Sequence, residues 1–582
     1  MSRRIGCFSF RLLSGRRKPS EFPTRRNHPP IMPTLTARET HAHRPAVDPA
    51  HPAPARSPVQ PEHLLDMVHH NPGEPEFVSS YTSPSTLAGL GYGGKVFMIF
   101  ESAQLAVDWS DVDPGICPPG SEAAAWVERK RAELLRKYRE AREAGLRVYC
   151  QCDMVLFPRA LVERAGLESF GDIRDERTRQ YLSILLRKMF REFADLDGIV
   201  VRVGETYLHD APHHVGHIRE KGNPEETIIP LMNLLRQVVC EELDKQVFFR
   251  TWLSFDRPTS ENYLRISAAV EPHRNLIISD KHCEDDFHRG NRFSRFLGLG
   301  RHRQIVEIQC QREYEGKGAY PHYVAHGIIE GFEEYDHVME PGEMRSLREF
   351  VRHPLYAGAW TWSRGGGWQG PYIAHELWID LNTRVLSAWL RSPGESEAAV
   401  FARYARERLG LADEDVARFR ELCLLSAAAV VRGKRGTHAD IDGWWSRDHF
   451  IGTPPLPDSP AALERVLAEK REAVALWRRI AALAGEIRFA DAETAAFARV
   501  SCEYGLFLYA IYRVSFELAA IRRGYGNTSA ASLLVAEYDA LWRGWRELQE
   551  TQPLCPTLYK DHGFMALPEC GGIGQLVDSM RG

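Results

Sequence analysis

The amino-acid sequence predicts an α/β protein: a (β/α)8 TIM barrel followed by an α-helical C-terminal domain. Three observations predict it. From about Phe77 to Leu390, short β-rich runs alternate with amphipathic helices, as in a parallel barrel. Charged residues gather just past several apolar runs, where barrels keep their chemistry. After Leu390 only helical patterns remain. A doubly wound sheet is the alternative, but no GxGxxG fingerprint follows an early strand.

Residues 1–75 read as a disordered His/Pro-rich N-terminus, crowded with Pro, His, Arg and Ala and lacking an apolar period. The basic opening MSRRIGCFSFRLLSGRRK is interrupted at Arg11, so it does not read as a secretory signal, and Met32 is a second candidate start. The barrel is expected over 76–392. Seven strands are visible: Val96–Phe100, Leu146–Cys152, Gly198–Val203, Gln246–Trp252, Leu276–Ser279, Gln304–Gln309 and Ala357–Trp362. An eighth is placed near Phe77–Tyr81. Helices are expected at Ala123–Ala144, Asp175–Ala194, Glu225–Leu243 and Met344–Val351, from apolar residues three and four apart. Residues 393–582 form the helical domain, with helices at Glu395–Leu409, Asp413–Arg432, Ala461–Ile487, Asp491–Arg523 and Ser529–Glu550. Their Leu, Trp and Tyr stripes read as core, with a dimer interface as a second use.

Composition narrows the function classes. The chain has 582 residues, 44% hydrophobic and 26% charged, enough for two or three cores. A net charge of -4 implies neither a nucleic-acid nor an anionic-membrane partner. The 11 cysteines follow no zinc spacing and read as free thiols in a reducing compartment, so a cytoplasmic location is expected. No apolar run of ~18–20 residues is seen.

The stretch from Asn275 to Tyr314 is the richest in chemistry. Two apolar runs, Leu276–Ile278 and Ile305–Ile308, read as neighbouring strands, followed by Lys281, Asp285 and Asp286 and by Arg312 and Glu313. Upstream, GIVVRVGETY presents Glu205 past a strand, where an apolar wall raises a carboxyl pKa and suits it to proton donation. The plainer alternative is a capping or surface glutamate; for Asp286 and Glu313 it is solvated loop charge. Two carboxylates ~6.5–9.5 Å apart serve an inverting glycosidase, and strands two or three apart favour that wider spacing.

A basic set, Arg202, Arg250 and Lys281, faces the same mouth. Arg250 lies inside VFFRTW and needs an acidic partner, either a protein carboxylate or that of a uronic acid. The run AGAWTWSRGGGWQGPY holds Trp360, Trp362 and Trp368, whose faces suit sugar rings. The histidines at 209, 213, 214 and 217 match no zinc motif, and no GxSxG elbow occurs. No cofactor and no metal are implied.

In order and spacing, these strand ends resemble glycoside hydrolase family 67, the α-glucuronidases, over about 197–390. VVRVGE, FFRTW, NLIISDKHCEDDF, VEIQCQREYEG and GGGWQG carry the resemblance. It implies Glu205 as general acid and Asp286 and Glu313 as the carboxylates that activate water. It also implies Arg202, Arg250, Lys281 and Trp368 as substrate contacts. The implied reaction is inverting hydrolysis of terminal α-linked glucuronate or 4-O-methylglucuronate from xylo-oligosaccharides, in xylan degradation. A homodimer through the helical domain is likewise implied. The chain departs from the family in carrying Arg202 where lysine is usual, and in lacking the folded domain that usually precedes the barrel. The alternatives are a glycosidase for another uronic acid or a neutral sugar, a non-catalytic carbohydrate-binding barrel, and a metal-dependent hydrolase using the histidines.

Overall fold

A computed structural model describes residues 60–69, 79–167, 171–203, 211–216, 224–251, 260–365, 371–436, 454–557 and 573–581. All of these belong to one compact unit, Arg56–Gly582.

Eight parallel strands close a barrel. They are β1 (His63–Val68), β2 (Gly94–Phe97), β3 (Arg147–Met154), β4 (Gly198–Val203), β5 (Gln246–Arg250), β6 (Leu276–Lys281), β7 (Gln304–Gln309) and β8 (Tyr356–Arg364). The ring closes where β1 pairs with β8, His63 opposite Gly358. Gly358 is needed there: a Cβ would lie 2.0 Å from the His63 carbonyl oxygen. The (β/α)8 expectation holds.

The first strand differs from expectation. Strand β1 lies inside the stretch read as disordered, and the segment expected as the eighth strand is no strand where described: Ser80–Thr82 is a single 3-10 turn. The physical reason is Asp66. It interrupts the apolar run HLLDMV, yet it is fully buried and accepts hydrogen bonds from Thr361 and Ser363 on β8. Burial pushes its carboxyl up to about 6, against those hydrogen bonds. A strand whose acid is matched 295 residues away shows no local pattern.

Two helices behave as their spacing predicts. Ser121 caps α1 (Glu122–Glu143), which buries Val127, Leu134 and Tyr138. Asp175 caps α2 (Glu176–Glu192), which buries Leu182, Leu185, Leu186 and Met189. The expected Glu225–Leu243 helix is α-helical over Pro224–Leu235 and continues as a π-helical turn, Arg236–Glu242.

After β8 come α3 (Leu377–Arg391), α4 (Glu397–Leu409), α5 (Asp413–Lys434), α6 (Pro460–Glu486), α7 (Ala492–Arg522) and α8 (Ala531–Thr551). Their ends obey sequence signals: Ser396, Ser459 and Asp491 cap α4, α6 and α7, and Gly410 ends α4 at φ 65. Among the described residues α7 alone is long and apolar enough to cross a bilayer, and 78% of its apolar window is buried. The helices do not form an isolated core. One apolar cluster runs from Val306, Ile308 and Ala359 on the barrel to Trp477, Tyr509 and Trp545. A second cluster covers the outside of β2 to β6, and a third fills the lumen with Leu65, Tyr149, Val200, Phe248, Ile277 and Trp360.

Candidate active site

The site forms at the C-terminal ends of the strands, above the apolar lumen. Its base is a buried ion pair. Arg250 donates from Nε and a terminal nitrogen to both oxygens of Glu307, at 2.9 and 2.8 Å, each side chain 1% exposed. Ser279 Oγ donates to Glu307 at 2.8 Å and accepts from the Trp360 indole at 2.9 Å. The Arg250 guanidinium also lies over Trp362, 5.1 Å from the ring centre. The partner left open for Arg250 is thus a protein carboxylate. The pair anchors the site from below, because an arginine this deep must be neutralised by the protein.

Asp286 stands at the mouth with its side chain 17% exposed. Lys281 Nζ donates to it at 2.6 Å, the Phe287 amide at 3.0 Å, and the Tyr314 hydroxyl closely. Burial pushes this carboxyl up, but Lys281 and Tyr314 outweigh burial and hold it well below the usual carboxylate range. Asp286 is therefore an anion throughout neutral pH: a base or charge stabiliser, unfit to donate a proton. Lys281 packs 4.7 Å from the Phe287 ring centre.

Glu313 comes after β7 and is half-buried. Its amide donates to Gln309 Oε1 at 2.8 Å, and the Gln309 amide donates back to its carboxylate at 3.3 Å. The residues preceding the two carboxylates, Asp285 (φ 54) and Arg312 (φ 64), adopt left-handed backbone. That conformation costs non-glycine residues energy and recurs at functional sites. The neighbourhood holds it in place: Arg312 donates to Glu315 at 2.9 Å and to the Phe287 carbonyl at 2.6 Å, and the Arg289 amide donates to Glu315 at 2.9 Å. The loops after β6 and β7 are thereby laced together.

Below the Asp286 loop, Asp280 is fully buried and accepts from Thr251 and Ser294. Burial is the main cause pushing it up to about 7, with the charge of Glu307 adding to it. The helical region also reaches this side. Lys434, at the end of α5 and buried, donates to the Tyr314 carbonyl. Asn382 on α3 accepts from the Val324 amide at 3.0 Å and donates to the His322 carbonyl at 3.0 Å.

Across the mouth, Arg202 on β4 is 3% exposed and lies 3.5 Å from Asp153 on β3. Glu205, Trp368, His209 and His217 lie outside the described residues. His213 and His214 lie near Trp126, and the ring of the buried His214 is 5.7 Å from it. Among the described residues no three His, Cys, Asp or Glu are grouped to hold a metal.

The structure thus brings Lys281, at the end of β6, together with Asp286, places Glu313 on the adjoining loop after β7, and places Arg202 on another strand. Sequence reasoning missed Glu307, Asp153, Tyr314 and Lys434. Glu307 was within reach: in QIVEIQ a glutamate alternates with Ile305 on a strand read as buried, which demands a cationic partner. Tyr314 carried no signal beyond adjacency to Glu313.

No family model matches the chain, and no curated protein does. Among solved structures, a GH138 enzyme targeting pectin rhamnogalacturonan II is similar with a TM-score of 0.51 at 11% identity, covering 90% of this chain and 67% of that one. CpGH84B and an O-GlcNAc hydrolase mutant from Thermobaculum terrenum align more loosely, with TM-scores of 0.40 and 0.38 at 8% and 9% identity. They cover 90% of this chain and 77% and 95% of their own. The likeness to the GH138 enzyme is one of fold: the shared arrangement extends over most of this chain, at an identity too low to carry function.

Proposed function

We propose that this protein is a glycoside hydrolase that releases terminal α-linked glucuronate or 4-O-methylglucuronate from xylo-oligosaccharides with inversion. The observation that carries the reading is Asp286, a carboxylate kept anionic at the mouth of a barrel by Lys281 and Tyr314. Such a group accepts a proton from water as that water attacks the anomeric carbon. Glu313, on the adjoining loop, is the second carboxylate of this role. Glu205, two residues past Val203 at the end of β4, is proposed as the acid that protonates the departing oxygen. Lys281 and Arg202 are proposed to contact the substrate carboxylate, above the Arg250–Glu307 pair. Trp368, in the glycine-rich stretch after β8, is proposed to shape the sugar pocket.

The test is incubation of the purified protein with aldouronic oligosaccharides, monitoring released glucuronate and its anomer by proton NMR. Initial release as the β-anomer supports the reading. Initial α-anomer overturns inversion, and no release from folded protein overturns the substrate. Glu205→Gln separates enzyme from binding module: an enzyme loses turnover and keeps sugar binding, whereas a binding barrel has no turnover to lose.

A further inference from the structure

Several polar groups of the lumen wall are matched by protein partners, as Arg250, Glu307 and Ser279 are; Gln151 is not among them. It lies on β3 between Tyr149 and Asp153, opposite Val200 of β4. Tyr149 and Val200 belong to the lumen cluster, while Cys150 and Cys152 belong to the cluster outside the barrel. Strand alternation therefore aims Gln151 into the lumen. It is 1% exposed, and neither its amide oxygen nor its amide nitrogen has a hydrogen-bond partner among the described residues. A second donor facing the same lumen is also unmatched among the described residues, the indole nitrogen of Trp362, 7% exposed beside Phe287 and Arg250. Its neighbour Trp360, one layer deeper, has its indole matched by Ser279.

An unmatched buried amide weakens a fold, and such groups are normally satisfied or absent. Where they persist, function is the usual reason. A side-chain amide offers an acceptor and two donors on one plane. Neighbouring ring hydroxyls, each able to donate and accept, complement that pattern. We propose that Gln151 is a substrate-binding residue that holds two adjacent hydroxyls of a sugar ring seated at the mouth of the barrel, with the Trp362 indole donating to the same ring. The sugar as ligand class rests on the glycosidase reading above; the demand for a polar ligand at Gln151 rests on the lumen geometry.

The experiment compares wild type with Gln151→Met, a swap of similar volume that removes both polar atoms. The sugar-free variant is expected to melt at the wild-type temperature or a few degrees higher, because no protein hydrogen bond is lost. On aldouronic oligosaccharides its kcat/KM is expected to fall by roughly 10- to 100-fold, mainly in kcat, since hydroxyl contacts tighten in the transition state. A melting temperature lowered by several degrees, or failure to fold, makes Gln151 a structural group and overturns the proposal. Unchanged kcat/KM in an active enzyme overturns it while leaving the glycosidase reading intact. If wild type hydrolyses nothing, melting with millimolar glucuronic acid decides. Protection of wild type but not of Gln151→Met supports the subsite while the enzymatic reading falls. Equal protection of both, or of neither, overturns it.

Discussion

On the β6–β7 side of the mouth nearly every charge has a short, named protein partner; on the β3–β4 side the contacts among the described residues are longer or absent. Arg250 and Glu307, Lys281 and Asp286, and Arg312 and Glu315 are all paired within 3 Å. Opposite them, Arg202 and Asp153 are 3.5 Å apart and the Gln151 amide has no partner among the described residues. The support differs as well. Lys434 and Asn382 reach the β7 side from beyond the barrel strands, whereas β3 and β4 are backed by a cluster that includes side chains of α1 and α2. The difference teaches a division of labour. Groups that must hold one charge state through a reaction are built rigidly and neutralised by the protein. The Gln151 amide, proposed to meet a ligand, is left unmatched among the described residues, at some cost in stability.

That division is breakable, most forcefully at Asp286. Asp286→Asn keeps the shape and removes the anion, and hydrolysis is expected to fall about 10²- to 10⁴-fold, the range for a positioned acid or base. Initial-rate kinetics on aldouronic substrates check this, and near-wild-type turnover would break the catalytic half of the comparison. The same variant sharpens an acid-side prediction. Because the folded-state pKa of Asp286 is depressed, its stabilisation is present above the unfolded value and is lost as pH falls below about 4. Thermal melts of Asp286→Asn should therefore lose less stability than wild type below that pH.

Next in size is the buried pair beneath the site. Glu307→Leu strands Arg250 in the lumen and is expected to cost about 3–5 kcal/mol in urea unfolding. Arg250→Met combined with Glu307→Leu should recover most of that loss. If the single variant is as stable as wild type, the floor is not a matched pair in solution.

A smaller effect is expected at Lys434→Met, which leaves the Tyr314 carbonyl without its donor. The hydroxyl of the same tyrosine meets Asp286, so kcat should drop about tenfold, or ~1.4 kcal/mol, with KM little changed. A change in KM alone would mean that the helical region acts on binding and not on the held carboxylate.

The last effect is on the pH dependence of stability and not on turnover, and concerns Asp280, raised to about 7 mainly by burial. The folded state holds its proton where the unfolded chain has released it. Stability should decline from pH about 4 to about 7 by on the order of 1.4 kcal/mol per unit at most, and level off above. Asp280→Asn should flatten that slope in melts taken across the same range.

Legibility in the sequence depended on the range of the forces involved. Seven strands and the five long C-terminal helices were readable, because alternation, three-to-four spacing and caps such as Ser396, Ser459 and Asp491 are written within a few residues. Strand β1 was not, because its acid is satisfied only by Thr361 and Ser363. The site shows the same rule. Lys281, Asp286 and Glu313 could be placed from strand ends, but the Arg250–Glu307 pair spans 57 residues and the Lys434–Tyr314 contact 120. Partnership at such separations is invisible until the barrel closes, and partnership is what separates a held charge from an available one.

The pairing of His63 with Gly358 sets a schedule for biosynthesis. The ring has two open edges until the last strand emerges, 295 residues after the first. At roughly 5–20 residues per second, that is on the order of 15–60 s during which β1 has no partner on its β8 side. Unpaired strand edges invite other chains, so nascent protein in that interval is the form most exposed to aggregation. Asp66 helps to guard it. An acidic side chain in a short first strand discourages pairing with foreign edges, and its burial becomes tolerable only once the correct hydroxyls of the eighth strand arrive.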